Sequence, residues 1–168
     1  MPTARDTALL ACLTMGLRRT EITMLRLKGY RPESQTLTIL GKRGKTRTIM
    51  LSDDVAAAVD AWLGFRGLAD GYLICKVDRW GNIDTGAKLT GHGIAHITQS
   101  IATAAGIDDI KCHDFRRTAA TNLLRQTDSN YTLVGGFLGH ESEATTKIYD
   151  LELTDKSSAL GKKIHIPS

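Results

Sequence analysis

A chain of 168 residues is about one domain long, enough for a single core of ordinary size. Hydrophobic residues make up 42% and charged residues 24%, a globular balance; with no run of 18 apolar residues and no charged-then-apolar leader, neither a membrane span nor secretion is expected, which points to the cytoplasm. The formal charge of +4 is unevenly spread: residues 1–50 carry ten Lys/Arg against three Asp/Glu, whereas residues 51–110 carry four against eight. The first third therefore suits a polyanion partner, with a merely solvated basic surface as the alternative.

In chain order, "TARDTALLACLTMG" puts Ala8, Leu9, Cys12 and Leu13 on one helical face and closes on Gly16, predicting an amphipathic helix. "RTEITMLRLKG" repeats the pattern and predicts a second helix, with Thr20 as its N-cap and Gly29 at its end. "TLTIL" and "TRTIML", separated by "GKRGK", predict a β-hairpin with an exposed basic turn. "SDDVAAAVDAWLGFRG" predicts a capped helix, "YLICKV" a third short strand and "WGNIDTGAK" a loop. Beyond Thr90, "GHGIAHITQSIATAAG", "HDFRRTAATNLLRQ", "YTLVGGFLG" and "SEATTKIYDLELTDK" predict helices. The expected class is α+β and mostly α-helical, a helical bundle with a small three-stranded antiparallel sheet, in one domain over residues 1–168.

Cys12, Cys75 and Cys112 lie far apart with no CxxC pair, which suits reduced, packed thiols. His92 and His96 have the i, i+4 spacing of a shared ligand face, but no acidic residue lies between them as in HExxH, so a solvated or capping pair on a helix is expected and no metal site.

The residues with chemical potential fall in two groups. Arg18, Arg19, Lys42, Arg43, Lys45 and Arg47 crowd the first third, and His113, Arg116, Arg117, His140 and Tyr149 the last. On a helix starting near His113, Arg116 shares its face at i+3, and a His/Arg pair on one face wants an anion. Arg117, at i+4, competes for that face, and geometry alone leaves the choice open. Tyr149 follows His140 by nine residues, which on one helix would set the two on opposite sides. In "GHES", Gly139 can end one helix and Ser142 cap the next, letting the tyrosine project back toward the histidine.

The succession "GLRRTE", "GKRGK" in a hairpin, "HDFRRT", "LGH" and a tyrosine nine residues on resembles the catalytic domain of the tyrosine recombinase (phage integrase) family, from about Thr7 to Asp150. The resemblance implies the DNA breaking-rejoining catalytic fold. It selects Arg18 over Arg19 from the first box, Lys42 over Lys45 from the hairpin, and His113 with Arg116 from H-x-x-R, and it makes His140 the next catalytic residue and Tyr149 the nucleophile. Glu21 reads as structural, orienting an arginine. Arg19, Arg43, Lys45 and Arg47 are the accompanying expected DNA contacts. Arg117 stands where family members often have histidine, a non-catalytic position as far as the resemblance tells.

Such a site would use Arg18 and Arg116 as planar donors to the non-bridging oxygens of a phosphodiester, with hydrogen bonds from His113 and His140. Tyr149 would attack phosphorus to give a 3′-phosphotyrosine, losing a proton whose ordinary pKa is about 10. Lys42 would protonate the departing 5′-oxygen as general acid. Neither metal nor other cofactor is implied. The expected partner is double-stranded DNA, with tetramers on DNA for a full-length protein and a monomer for the isolated domain, in a bacterial or phage-encoded setting. The family normally carries an N-terminal DNA-clamping domain, which this chain is expected to lack, as a fragment or a minimal form, and residues 151–168 are a candidate tail for packing in trans. A type IB topoisomerase, which typically has lysine where His113 stands, and a non-catalytic DNA-binding module are the competing readings.

Overall fold

The computed structural model describes residues 3–140 and 144–148. They divide into two compact units, one running to Arg116 and the other starting at Arg117.

The first unit opens with helix α1 (Ala4–Thr14), started by a capping box in which the Thr3 hydroxyl accepts from the Asp6 backbone N–H while the Asp6 carboxylate accepts from that of Thr3. Its buried face is Ala8, Leu9, Cys12 and Leu13, as the periodicity predicts, and it packs on α3 (Asp53–Arg66), whose buried residues include Val55, Ala56, Val59, Trp62 and Leu63. Burying each large apolar side chain stabilises by about 1.5–3 kcal/mol. Burial pushes the Cys12 thiol up to about 12 and raises that of Cys75 as well, so both stay neutral thiols at ordinary pH.

The second predicted helix is much shorter than expected: α2 covers only Arg19–Ile22, with Arg18 rather than Thr20 at its N-cap. Tertiary pairing takes over the backbone beyond it. Leu25 accepts from the Leu73 N–H at 2.9 Å, Leu27 donates to the Gly71 carbonyl at 3.0 Å, and Arg26 bridges Tyr72. The β-branched Thr20, Ile22 and Thr23 have little helical propensity to resist this.

The predicted hairpin is present as β2 (Thr36–Leu40) and β3 (Thr46–Met50), paired antiparallel with Leu37 opposite Ile49 and Ile39 opposite Arg47. The third strand of the sheet, however, is β1 (Tyr30–Arg31), which pairs with β2, and not "YLICKV". Within that segment β4 (Cys75–Val77) instead pairs with β5 (Ile83–Lys88), a stretch expected to be loop. Asp78 makes this second hairpin: its carboxylate accepts from the backbone N–H groups of Trp80 and Asn82 and from the Asn82 amide. Helix α4 (Gly91–Ala104), capped by Thr90, buries Ile94, Thr98 and Ala102 and carries His92 and His96 on its exposed side.

Helix α5 (Cys112–Gln126) contains the point of division between the units. In the second unit its Ala120 and Leu124 form a small core with Val134 and Leu138 of α6 (Tyr131–Leu138). The Asn130 side chain caps α6 at its start, and Gly139, at φ 67°, ends it in the left-handed conformation that glycine adopts without strain. Residues 144–148 are helical. Tyr149 and the 151–168 segment lie outside the described residues.

Candidate active site

An open pocket of about 620 Å³ in the first unit is lined by Arg18, Arg19, Thr20, Lys111, His113 and Arg116, among others. The backbone explains how positions a hundred residues apart share it. Gly16, at φ 78°, turns the chain sharply after α1, which sends Leu17 into the core and leaves Arg18 at the pocket wall. The same glycine's carbonyl accepts from the Arg116 guanidinium at 2.6 Å, and Arg116 is only 3% exposed. Arg116 and His113, one turn apart on α5, both line the pocket. Arg117, the competitor left open by helical spacing, is exposed.

Glu21 organises the other side of Arg18. Its carboxylate, 4% exposed, accepts from the Arg18 backbone N–H at 2.8 Å and from the Arg18 guanidinium at 2.9 Å. It also accepts a two-pronged contact from Arg47 of β3, at 2.8 and 3.1 Å. Burial works to raise the carboxyl's pKa, but the Arg47 and Arg18 hydrogen bonds and charges outweigh it and hold the group below its ordinary value. Glu21 therefore remains ionised, and its contact to an arginine fits its structural reading.

The turn between β2 and β3 holds Lys42 in a tight 3-10 turn over Lys42–Gly44, with Arg43 at φ 60° and Gly44 at φ 76°. The Gly41 N–H donates to the Lys45 carbonyl at 2.7 Å and closes the turn. Lys42, Arg43 and Lys45 are exposed, and Lys42 is not among the residues lining the pocket. Arg19 is exposed at the pocket rim and lies against Gly91 at the start of α4, where an added Cβ would come within 3.3 Å of its Nε.

In the second unit, His140 follows the Gly139 turn, its backbone N–H donating to the Gly135 carbonyl at 2.8 Å. Its Nδ1 lies 2.6 Å from the hydroxyl of Thr146, which is fully buried. Gly135 makes room for this pair, since a Cβ there would meet the Thr146 hydroxyl at 3.0 Å. The sequence reading missed Thr146. The turn predicted from "GHES" with a helix after it is its signal in the sequence, since such a turn brings a residue six positions on back toward the imidazole. Tyr149, the expected nucleophile, lies outside the described residues. Among the described residues no cluster of three or more His, Cys, Asp or Glu is arranged to hold a metal ion, and no helix is long and apolar enough to cross a membrane.

The mostly helical architecture with its three-stranded antiparallel sheet is that of tyrosine recombinase catalytic domains. The XerA recombinase structure superposes with a TM-score of 0.74 at 23% identity, over 93% of this chain and 56% of that one. A XerH site-specific recombinase bound to difH substrate, a pre-cleavage complex, superposes with a TM-score of 0.71 at 26% identity, over 90% of this chain and 45% of that one. Residues 2–154 match the phage integrase family, and the chain belongs to it. Among curated relatives, tyrosine recombinase XerC of Corynebacterium efficiens is 32% identical over 147 residues, covering 86% of this chain and 46% of the relative. Tyrosine recombinase XerD of Caulobacter vibrioides is 34% identical over 151 residues, covering 83% and 48%. The chain thus spans about half the length of the curated relatives it matches.

Proposed function

We propose that this chain is the catalytic part of a site-specific DNA recombinase that cuts and rejoins DNA through a 3′-phosphotyrosine. The observation that carries the reading is the convergence of Arg18, His113 and Arg116 on one open pocket, in a chain of the phage integrase family. Two guanidiniums and an imidazole can donate to the non-bridging oxygens of one phosphodiester and stabilise the charge that grows on them during attack. The family resemblance assigns His140 a further hydrogen bond to the phosphate; within the second unit its Nδ1 lies 2.6 Å from the Thr146 hydroxyl.

In the proposed reaction the Tyr149 hydroxyl gives its proton to a histidine acting as base and its oxygen bonds to phosphorus while the bond to the 5′-oxygen breaks. Lys42 protonates that oxygen as it leaves. A 5′-hydroxyl from another strand reverses the step, so the ester's energy is conserved. Arg19, Arg43 and Lys45 contact the DNA backbone, the partner is double-stranded DNA, and a full-length protein acts as a tetramer on it in the cytoplasm. Support for the DNA partner comes from relatives solved with DNA, such as the XerH complex.

The charge stabilisation in this scheme comes entirely from side chains. Incubated with a nicked duplex that traps the covalent intermediate, the chain is expected to form its adduct equally well in excess EDTA. Cleavage that disappears with EDTA and returns with a divalent ion would replace the proposal with a metal-dependent nuclease.

A further inference from the structure

Arg47 differs from its basic neighbours. Arg43 and Lys45 are exposed on the hairpin turn, but the Arg47 side chain is only 16% exposed and both of its terminal nitrogens lie on Glu21. Glu21 Oε1 accepts from Arg18 Nη1 and Arg47 Nη1, and Oε2 from the Arg18 backbone N–H and Arg47 Nη2. Four donors thus meet on one buried carboxylate, two from each arginine.

We infer that Arg47 is a positioning residue for the cleavage centre, acting through Glu21 on Arg18, and not itself a phosphate contact. The inference rests on the catalytic reading of Arg18. It has an electrostatic and a geometric part. A buried carboxylate paired with Arg18 alone would cancel the positive charge that a phosphodiester needs at the pocket wall; with Arg47 added, the three side chains carry one net positive charge. Geometrically, Arg47 belongs to the strand that leaves the Lys42 turn, pairing with Ile39 across the hairpin. Its two-pronged grip ties the base of that hairpin to the segment holding Arg18. A lysine in its place would supply charge without the parallel pair of N–H donors, so it should restore only part of the effect.

The test uses the full chain with a nicked trapping duplex and compares parent, Arg47→Met, Arg47→Lys, Glu21→Gln and the double variant Glu21→Gln/Arg47→Met. At saturating DNA, Arg47→Met should slow adduct formation by about 10²-fold, the scale expected when a catalytic group is displaced by about an ångström. Arg47→Lys should fall between it and the parent. In the Glu21→Gln background, removing Arg47 should cost little more, because the amide has lost the negative charge and one of the two acceptor oxygens that couple Arg47 to Arg18. The salt dependence of DNA affinity should stay that of the parent, whereas losing a phosphate contact would lower its slope by about one.

Additive losses for Glu21→Gln and Arg47→Met, or a lowered salt slope with an unchanged rate at saturation, would overturn the inference. If Arg47→Met does not fold, Arg47→Lys decides through the same comparison: its rate loss must vanish in the Glu21→Gln background. A parent that forms no adduct overturns the catalytic reading itself, a result separate from any difference between parent and variants.

Discussion

Lys42, proposed as the general acid, is exposed on a turn that also presents Arg43 and Lys45. A general acid matters in proportion to how badly the leaving group needs its proton. Lys42→Ala should therefore slow cleavage of ordinary DNA by about 10²–10⁴-fold. A 5′-bridging phosphorothiolate leaves as a thiolate and needs no proton, so on that substrate the variant should cleave nearly as fast as the parent. Arg116→Ala, which removes charge at the non-bridging oxygens, should remain slow on both. Rescue of Lys45→Ala with Lys42→Ala inert would move the role to Lys45. At this scale the sequence was legible where residues are close along the chain: His113 and Arg116, one helical turn apart, do line one pocket. It was not legible where the contact joins distant positions. The grip of Arg47 on Glu21, 26 residues away, and that of Arg116 on the Gly16 carbonyl, 100 residues away, exist only once the chain has folded.

At the scale of elements, strong local signals held and tertiary pairing overrode weak ones. The apolar stripe and glycine stop of α1 and the alternation of β2 and β3 were readable directly. Shortening of α2 was not, because the Leu25–Leu27 backbone is claimed by residues 71–73. Strand β5 reads as loop since it contains Asp84 and Gly86, residues that strands disfavour, and only the Asp78-braced turn brings it onto β4. One glycine makes this arrangement possible. Gly71 has φ 140°, and a Cβ there would lie 2.1 Å from the Thr85 carbonyl oxygen, in the stretch where the Tyr72 N–H donates to that same oxygen. Gly71→Ala should lower folding stability by about 1–3 kcal/mol or more, combining backbone strain with a steric clash. Urea unfolding of parent and variant measures it, and an unchanged midpoint would show that the segment relaxes without loss.

Over the whole molecule, charge is the main guide to the partner. The basic excess of residues 1–50 against the acidic balance of residues 51–110 suits phosphate contacts, which carry no sequence information directly. The chain alone should bind duplex DNA weakly, with little preference among sequences and a steep loss of affinity as salt rises. Titrations of unrelated duplexes at several salt concentrations check this. Tight, salt-insensitive binding to a single sequence would mean that base contacts in this chain carry recognition.

The central claim is that Tyr149 is the nucleophile of a phosphoryl transfer assisted by Arg18, His113 and Arg116. The most direct measurement is mass spectrometry of the peptide linked to DNA after trapping on a nicked duplex, for the parent and for Tyr149→Phe, which keeps the ring and removes only the attacking oxygen. The account predicts a phosphotyrosyl linkage at Tyr149 in the parent and none in the variant, which still binds the duplex. An adduct that persists in Tyr149→Phe, or one mapped to another residue in the parent, would contradict it.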